Sequence, residues 1–305
     1  MLHPSQPLEV ARCHGCGLCA LVCPVYQQGG SVMVTPHGIA KVKQSGGKLN
    51  CDDVMACTLC GACAPICPQD INLMQLLVAV RMEASQQTAV ERLETPPANS
   101  WGQAVFIADP VLLAQPETLD KVMRCLGNKV TLAEDSGVDI SRAMQDGQPV
   151  THARWHQFLT SLQSATQIII SNGLLYQLLQ EELPQIPMRS LGQLLSSRDD
   201  VKRQLSVHDL YVMDTQTYHA NYDEAVLHYD HLHKSCGCQL ARDLHRLAVS
   251  IGAQAVNGFD HKQQIDWITK GIEVKRFIAE SVADVEMLAK HSDVPTVHVV
   301  ELASL

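Results

Sequence analysis

Two stretches decide how this chain is read: Cys13-His14-Gly15-Cys16-Gly17-Leu18-Cys19-Ala20-Leu21-Val22-Cys23-Pro24 and Cys57-Thr58-Leu59-Cys60-Gly61-Ala62-Cys63-Ala64-Pro65-Ile66-Cys67-Pro68. Both follow the spacing C-x2-C-x2-C-x3-C-P without deviation. Three thiols two residues apart line a tight loop that can wrap three corners of an iron–sulfur cube. The fourth, held just before a proline, points away from that loop and in two-cluster sites ligates the other cluster. The spacing therefore assigns Cys13, Cys16, Cys19 and Cys67 to one [4Fe–4S] cluster, and Cys57, Cys60, Cys63 and Cys23 to a second. Structural zinc is the competing reading, but zinc takes two separated C-x2-C pairs rather than three ligands in one series.

Smaller features agree. Gly15, Gly17 and Gly61 lie between ligands, where a missing side chain lets backbone N–H groups approach cluster sulfurs. Such bonds raise a reduction potential, as does solvent exposure. Pro24 and Pro68 stop each loop and aim the next segment. Cys51 stands outside both motifs and reads as a free, partly buried thiol in preference to a substitute ligand. Asp70 is the expected N-cap of a helix carrying Leu73, Leu76, Leu77 and Val80 on one face. Ile39 and Val42, with the basic Lys41 and Lys43, suggest a short helix closed by Gly46-Gly47. Helices around the clusters fit this stretch better than short strands. Lys41, Lys43 and Lys48 read as a solvated face in preference to a dock for an acidic partner.

Working outward, 305 residues suggest two domains. Nine of the twelve cysteines fall between Cys13 and Cys67, which is wrong for a loose disulfide framework. A formal charge of −9 and 4% aromatic residues exclude nucleic acid as a partner class. No apolar run approaches the roughly 18 residues of a membrane span. The opening MLHPSQPLEVAR lacks the basic and apolar regions of a secretory signal. The expectation is a soluble, cytoplasmic protein with no direct membrane span, any membrane association running through a partner.

From Ser85 to Gly102 the chain turns polar, with Pro96-Pro97 and Asn99-Ser100 as loop chemistry. Beyond it, short apolar runs recur at 104–108, 130–132, 168–170, 210–213, 253–256 and 297–300. Helical spacing joins Leu119, Val122, Met123 and Leu126 before Gly127, and again Leu240, Leu244, Leu247 and Ala248 before Gly252. Strand–helix alternation of this kind implies a mostly parallel sheet covered by helices, in a domain of two similar halves. The expected fold class is α+β overall. A helical two-cluster ferredoxin-like domain covers residues 1–84, a linker 85–102, and an α/β domain 103–305. No nucleotide or dinucleotide fingerprint appears in the last of these.

At this point a resemblance emerges. The paired runs, matched at all eight cysteines, are similar to the helical two-cluster modules of three iron–sulfur families. These are the iron–sulfur subunits of glycolate oxidase, those of anaerobic glycerol-3-phosphate dehydrogenase, and the heterodisulfide reductase proteins. The resemblance implies a complex in which a flavin or thiol protein does the substrate chemistry and the clusters carry electrons to a quinone or another carrier. Such relatives often continue into a cysteine-rich α/β domain with a Cys-Cys-Gly signature. Here the stretch YHANYDEAVLHYDHLHKSCGCQLARDL resembles a weakened version, with Cys236-Gly237-Cys238 in place of the signature. After residue 100 only Cys125, Cys236 and Cys238 remain, fewer than the four thiolates of an all-cysteine cluster. The domain reads as a degenerate relative kept for packing and docking, and Cys125 as a small side chain on a helix flank.

The chain is thus expected to be a non-catalytic electron-transfer subunit. Its partners would be a catalytic oxidoreductase subunit, a flavoprotein, and an upstream or downstream carrier. Two alternatives stand beside this. Cys236 and Cys238 could form the active site of a thiol/disulfide reductase fed by the clusters, or the clusters could belong to an iron–sulfur sensor or scaffold. An extra metal site is weighed at His228, His231, Cys236 and Cys238, with His233 close by. Ala225, Val226, Tyr229 and Leu232 take the core stripe of that helix, leaving the histidines at its margin.

Overall fold

A computed structural model describes residues 9–85, 87–91, 93, 102–252 and 259–304. The chain divides into two compact units. One gathers described residues of 1–96, 139–157 and 254–260, and the other those of 97–138, 158–253 and 261–305. Most of the expected linker, and the apolar run 253–256, lie outside the described residues.

In the first unit helices surround the cysteine runs, at Leu18–Leu21, Pro24–Gln27, Pro36–Gln44, Cys51–Met55 and Leu73–Ser85, while the second run is itself built of turns. Local chemistry sets their ends. Thr35 caps the third, its hydroxyl accepting from Gly38 N at 3.2 Å, and Pro36 follows where a missing N–H costs nothing. Gly38 is required there, because a Cβ would stand 2.3 Å from the Val32 carbonyl oxygen. The last helix begins differently from expectation. Asn72, not Asp70, caps it, its Oδ1 accepting from Gln75 N at 3.0 Å, while Asp70 takes a turn at φ +48°. Leu73, Leu76, Leu77 and Val80 are buried as the periodicity requires, and so is Arg81.

Among its described residues the second unit holds eight short strands, all in parallel pairs: β1 Ala104–Ile107, β2 Val130–Leu132, β3 Gln167–Ile170, β4 Met188–Ser190, β5 Asp209–Val212, β6 Gln239–Leu240, β7 Arg276–Ala279 and β8 Thr296–His298. They form two four-stranded sheets of identical winding, β2-β1-β3-β4 and β6-β5-β7-β8. The central strands β1, β3, β5 and β7 are almost wholly buried, as parallel strands under helices must be. Side-chain alternation then divides the load. Phe106, Ile169, Tyr211 and Ile278 share one core that joins the two sheets. Leu210, Val212, Phe277 and Ala279 form a second core on the other face. Each fully buried large side chain contributes roughly 1.5–3 kcal/mol.

Two local expectations fail for physical reasons. Leu240–Ala248 is no helix. Asp243 Oδ1 accepts from His245 N and Leu247 N at 2.8 and 2.9 Å, Arg246 takes φ +65°, and Leu244 is left fully exposed. A side chain bonding its own backbone has displaced the helix that the leucine spacing suggested. The run 297–300 ends as a strand at His298, whose Nδ1 accepts from Val300 N and opens a 3-10 turn. Strands β4 and β6, short and polar, and β7, whose Phe277-Ile278-Ala279 lies between Arg276 and Glu280, are additional to the apolar runs.

Candidate metal centre

The Cys13–Cys19 loop turns on Gly15 at φ +85° and Gly17 at φ +78°, which a side chain would strain. The helix Pro36–Gln44 straps it down: Gln44 Nε2 donates to Val10 O and Cys13 O, both at 2.7 Å. Lys41 bonds Gln44 at 2.9 Å, and its chain lies over Gly15, where a Cβ would meet Lys41 Cε at 2.7 Å. Cys13, Cys16, Cys19 and Cys67 line one cavity, together with His37. Thus the fourth thiol in this cavity comes from the other cysteine run. Burial pushes the Cys19 thiol up to about 11; the His37 backbone N–H opposes this, and Cys13, Cys16 and Cys67 reinforce it.

The second group repeats the pattern. Cys23 precedes Pro24 as the residue before a helix, and burial pushes its thiol up to about 12, with Cys57 and Cys60 adding to the shift. The backbone N–H groups of Tyr26 and Val25 act the other way, as helix-start donors do. Cys60 is raised by burial, opposed by the Ala62 backbone and the Thr58 hydroxyl. Cys63 is raised well above the usual thiol range by burial, then by Cys57, Cys60, Cys19 and Cys23. Leu59 takes φ +52° and donates its N–H to Cys57 Sγ at 3.4 Å. So Cys23 is close enough to act electrostatically on Cys57, Cys60 and Cys63, and Cys63 is in the same way coupled to Cys19 of the first group. Cys51 is exposed at the start of its helix.

Whether these residues suit an iron–sulfur cube is testable on two details. The donor set is four thiols around a cavity, one for each iron corner. The same cavity holds His37 Nδ1, a buried polar atom without a hydrogen-bond partner, which a cluster sulfur would satisfy. The residues fit.

Residues 9–71 match the family model of the 4Fe-4S dicluster domain. That match supports an iron–sulfur, metal-binding protein with an electron-transfer role. No curated protein and no solved structure matches the chain. Among the described residues no helix is long and apolar enough to cross a membrane.

The other candidate residues are dispersed. His228 Nε2 pairs with Ser196 Oγ at 2.8 Å, and burial, with Lys202 and Arg189 nearby, holds its pKa down to about 4. His231 is exposed, while His233 Nδ1 meets Cys238 O at 2.7 Å. Cys236 Sγ lies 3.4 Å from Cys238 Sγ. Cys238 is completely buried, and burial raises its thiol pKa strongly, the reverse of a reactive thiolate. Among the described residues no group of three or more His, Cys, Asp or Glu side chains is placed to hold a single metal ion. Of the three lysines, Lys43 pairs with Glu83 and Lys48 is exposed.

Two features escaped the sequence reading. Arg81 is 4% exposed beside Cys57; the available signal was one arginine four residues after Leu77, on the apolar face. The second is a set of carboxyls at equivalent strand ends of the two sheets. Asp109 and Asp214 each cap the helix that follows the first strand of their half. Burial pushes Asp214 up to about 6, Glu280 to about 7, and Asp284 well above the carboxylate range.

Proposed function

We propose that this chain is an electron-transfer subunit with two [4Fe–4S] clusters, working within a multi-subunit oxidoreductase between a flavin-bearing catalytic subunit and a quinone or another carrier. The ligands are Cys13, Cys16, Cys19 and Cys67 for one cluster, and Cys57, Cys60, Cys63 and Cys23 for the other. The observation that carries the reading is the crossing of the fourth cysteine: the cavity beside Cys13, Cys16 and Cys19 takes its remaining thiol from the second run. Clusters so bound supply one-electron storage at a potential set by their surroundings. The protein's own part is to hold eight thiolates, to turn N–H groups toward sulfur at Leu59 and His37, and to keep the two cradles adjacent through Cys19 and Cys63. The family resemblance to glycolate oxidase and glycerol-3-phosphate dehydrogenase subunits supports the flavin partner. The second unit is then a docking body, since the thiol in its cysteine pair is buried at Cys238.

The test is iron and acid-labile sulfide per chain on anaerobically purified protein, with EPR of the reduced sample. About eight irons and a spin-coupled signal from neighbouring cubanes are expected. Zinc without iron would refute the reading. So would oxidation of a 2-hydroxy acid, or reduction of a disulfide, by the isolated chain at enzymatic rates.

A further inference from the structure

We propose that Arg81 is the fixed counter-charge of the cluster held by Cys57, Cys60, Cys63 and Cys23, and that it selectively raises that cluster's reduction potential. The inference rests on the cluster reading above. A four-thiolate cubane is an anion that gains a further negative charge on reduction, and a buried anion is costly unless something compensates it. The two cradles meet this demand differently. Around the first, Cys16 is exposed, so water lies close. Around the second, Cys63, Leu59 and Ala62 are buried and none of the four thiols is fully exposed, so water has less access.

Arg81 stands on the buried side of the second cradle. Its side chain lies on the buried face of the helix Leu73–Ser85, 4% exposed. Nη2 donates to Cys57 O and, at 3.3 Å, to Met55 O, while Nη1 donates to Gln145 O at 2.7 Å. Nε is buried without a partner. All three acceptors are neutral carbonyls, so hydrogen bonding is largely met while the charge is not. A guanidinium stays protonated at any physiological pH, and a buried one is almost always paired with an anion. The acidic groups that act on it are the Cys57 thiol, beside the carbonyl it bonds, and Asp146, which is exposed. A buried cation short of an anion therefore lies beside a thiol set whose natural occupant is an anion.

Among the described residues the first cradle has no such buried cation. The cations beside it, Lys41 bonded to Gln44 and Arg12 bonded to Glu9 and to the Gln69 carbonyl, are both exposed, so solvent screens their charges. His37 offers that cradle a hydrogen bond rather than a buried permanent charge.

The experiment is EPR-monitored potentiometry on the full chain, comparing wild type with Arg81→Met, Arg81→Lys and Lys41→Met. In Arg81→Met, one of the two couples should fall by tenfold or more in its reduction equilibrium, 59 mV for one electron. That couple should be the one removed by Cys60→Ala, and the other should stay. Arg81→Lys should recover most of the shift, and Lys41→Met should move neither couple tenfold. Unchanged couples in Arg81→Met, or a lysine variant as shifted as the methionine one, would overturn the proposal. Should Arg81→Met assemble only one cluster, iron content decides. Lysine restoring near-full iron supports a charge role, and lysine as depleted as methionine refutes it. A wild type without two clusters removes the functional reading and this proposal together. Two clusters indifferent to Arg81 remove this proposal alone.

Discussion

Replacing Glu280 by glutamine should flatten the pH dependence of stability in a way the structure fixes in sign and size. Glu280 follows β7, is 4% exposed, and accepts at Oε1 from Tyr211 OH (2.9 Å) and Tyr229 OH (2.6 Å), and at Oε2 from Asp214 N (3.0 Å). Burial pushes the carboxyl from its ordinary 4.5 up to about 7, even though all three bonds pull the other way. Between those values the folded chain keeps a proton that the unfolded chain has lost. Stability from this group is therefore fully present below about 4.5, falls as pH rises, and levels off above about 7. The slope is about 1.4 kcal/mol per pH unit, or about 2 kcal/mol between pH 5.5 and 7. Asp214, raised to about 6 from 3.8, adds a slope of the same sign that the variant retains. Urea midpoints by circular dichroism at several pH values from about 5.5 to 8 give the difference directly. His228 and His298, both held down to about 4 by burial, add slopes of the opposite sign below their ordinary 6.5, and the variant retains these too. The test is therefore the difference between the two proteins, and a variant that keeps the wild-type slope would refute the reasoning.

Other perturbations test separate parts of the molecule. Cys67→Ala and Cys13→Ala should remove the same EPR signal and about half the iron, because both thiols line one cavity; loss of different signals would mean that each run closes its own cluster. Gly15→Ala forces a side chain onto φ +85° and to within 2.7 Å of Lys41 Cε, so stability should fall by about 1–3 kcal/mol and iron retention with it. Gly192→Ala would place a Cβ 2.1 Å from the Glu280 carboxyl carbon, and should cost about 1–3 kcal/mol in chemical denaturation without changing iron content.

Much of the candidate metal centre was legible because its pattern is written in local spacing. The eight cysteines, the turning glycines and the Cys-Pro stops lie within short stretches, and so does the stripe Leu73, Leu76, Leu77 and Val80. The alternation of the second unit was legible at β1, β2, β3 and β5 for the same reason. What the sequence hid depends on partners distant in the chain. Arg81 looks like an ordinary surface charge until the Gln145 carbonyl is placed beside it, 64 residues later. Glu280 and Asp214 are unremarkable acids until β5 and β7 pair and bring them into contact. The expected helix at Leu240–Ala248 failed in the opposite direction: a leucine pattern suited to a helix was overruled by one aspartate bonding its own turn.

The first unit is stitched from non-contiguous pieces of chain, and this bears on the order in which it can be made. Its signature ends at residue 71, yet Arg81 takes a carbonyl from Gln145, Ser85 donates to the Gly147 carbonyl, and Gln28 exchanges two hydrogen bonds with Asp260. During synthesis the chain emerges from its N-terminus, so the thiols of both runs are available long before the segments that complete their surroundings. A cluster inserted early would meet an Arg81 still lacking its Gln145 partner, and a cut after the cysteine runs would leave it in that condition permanently. The smallest piece that can carry this metal centre in its finished form is therefore longer than the motif that reveals it.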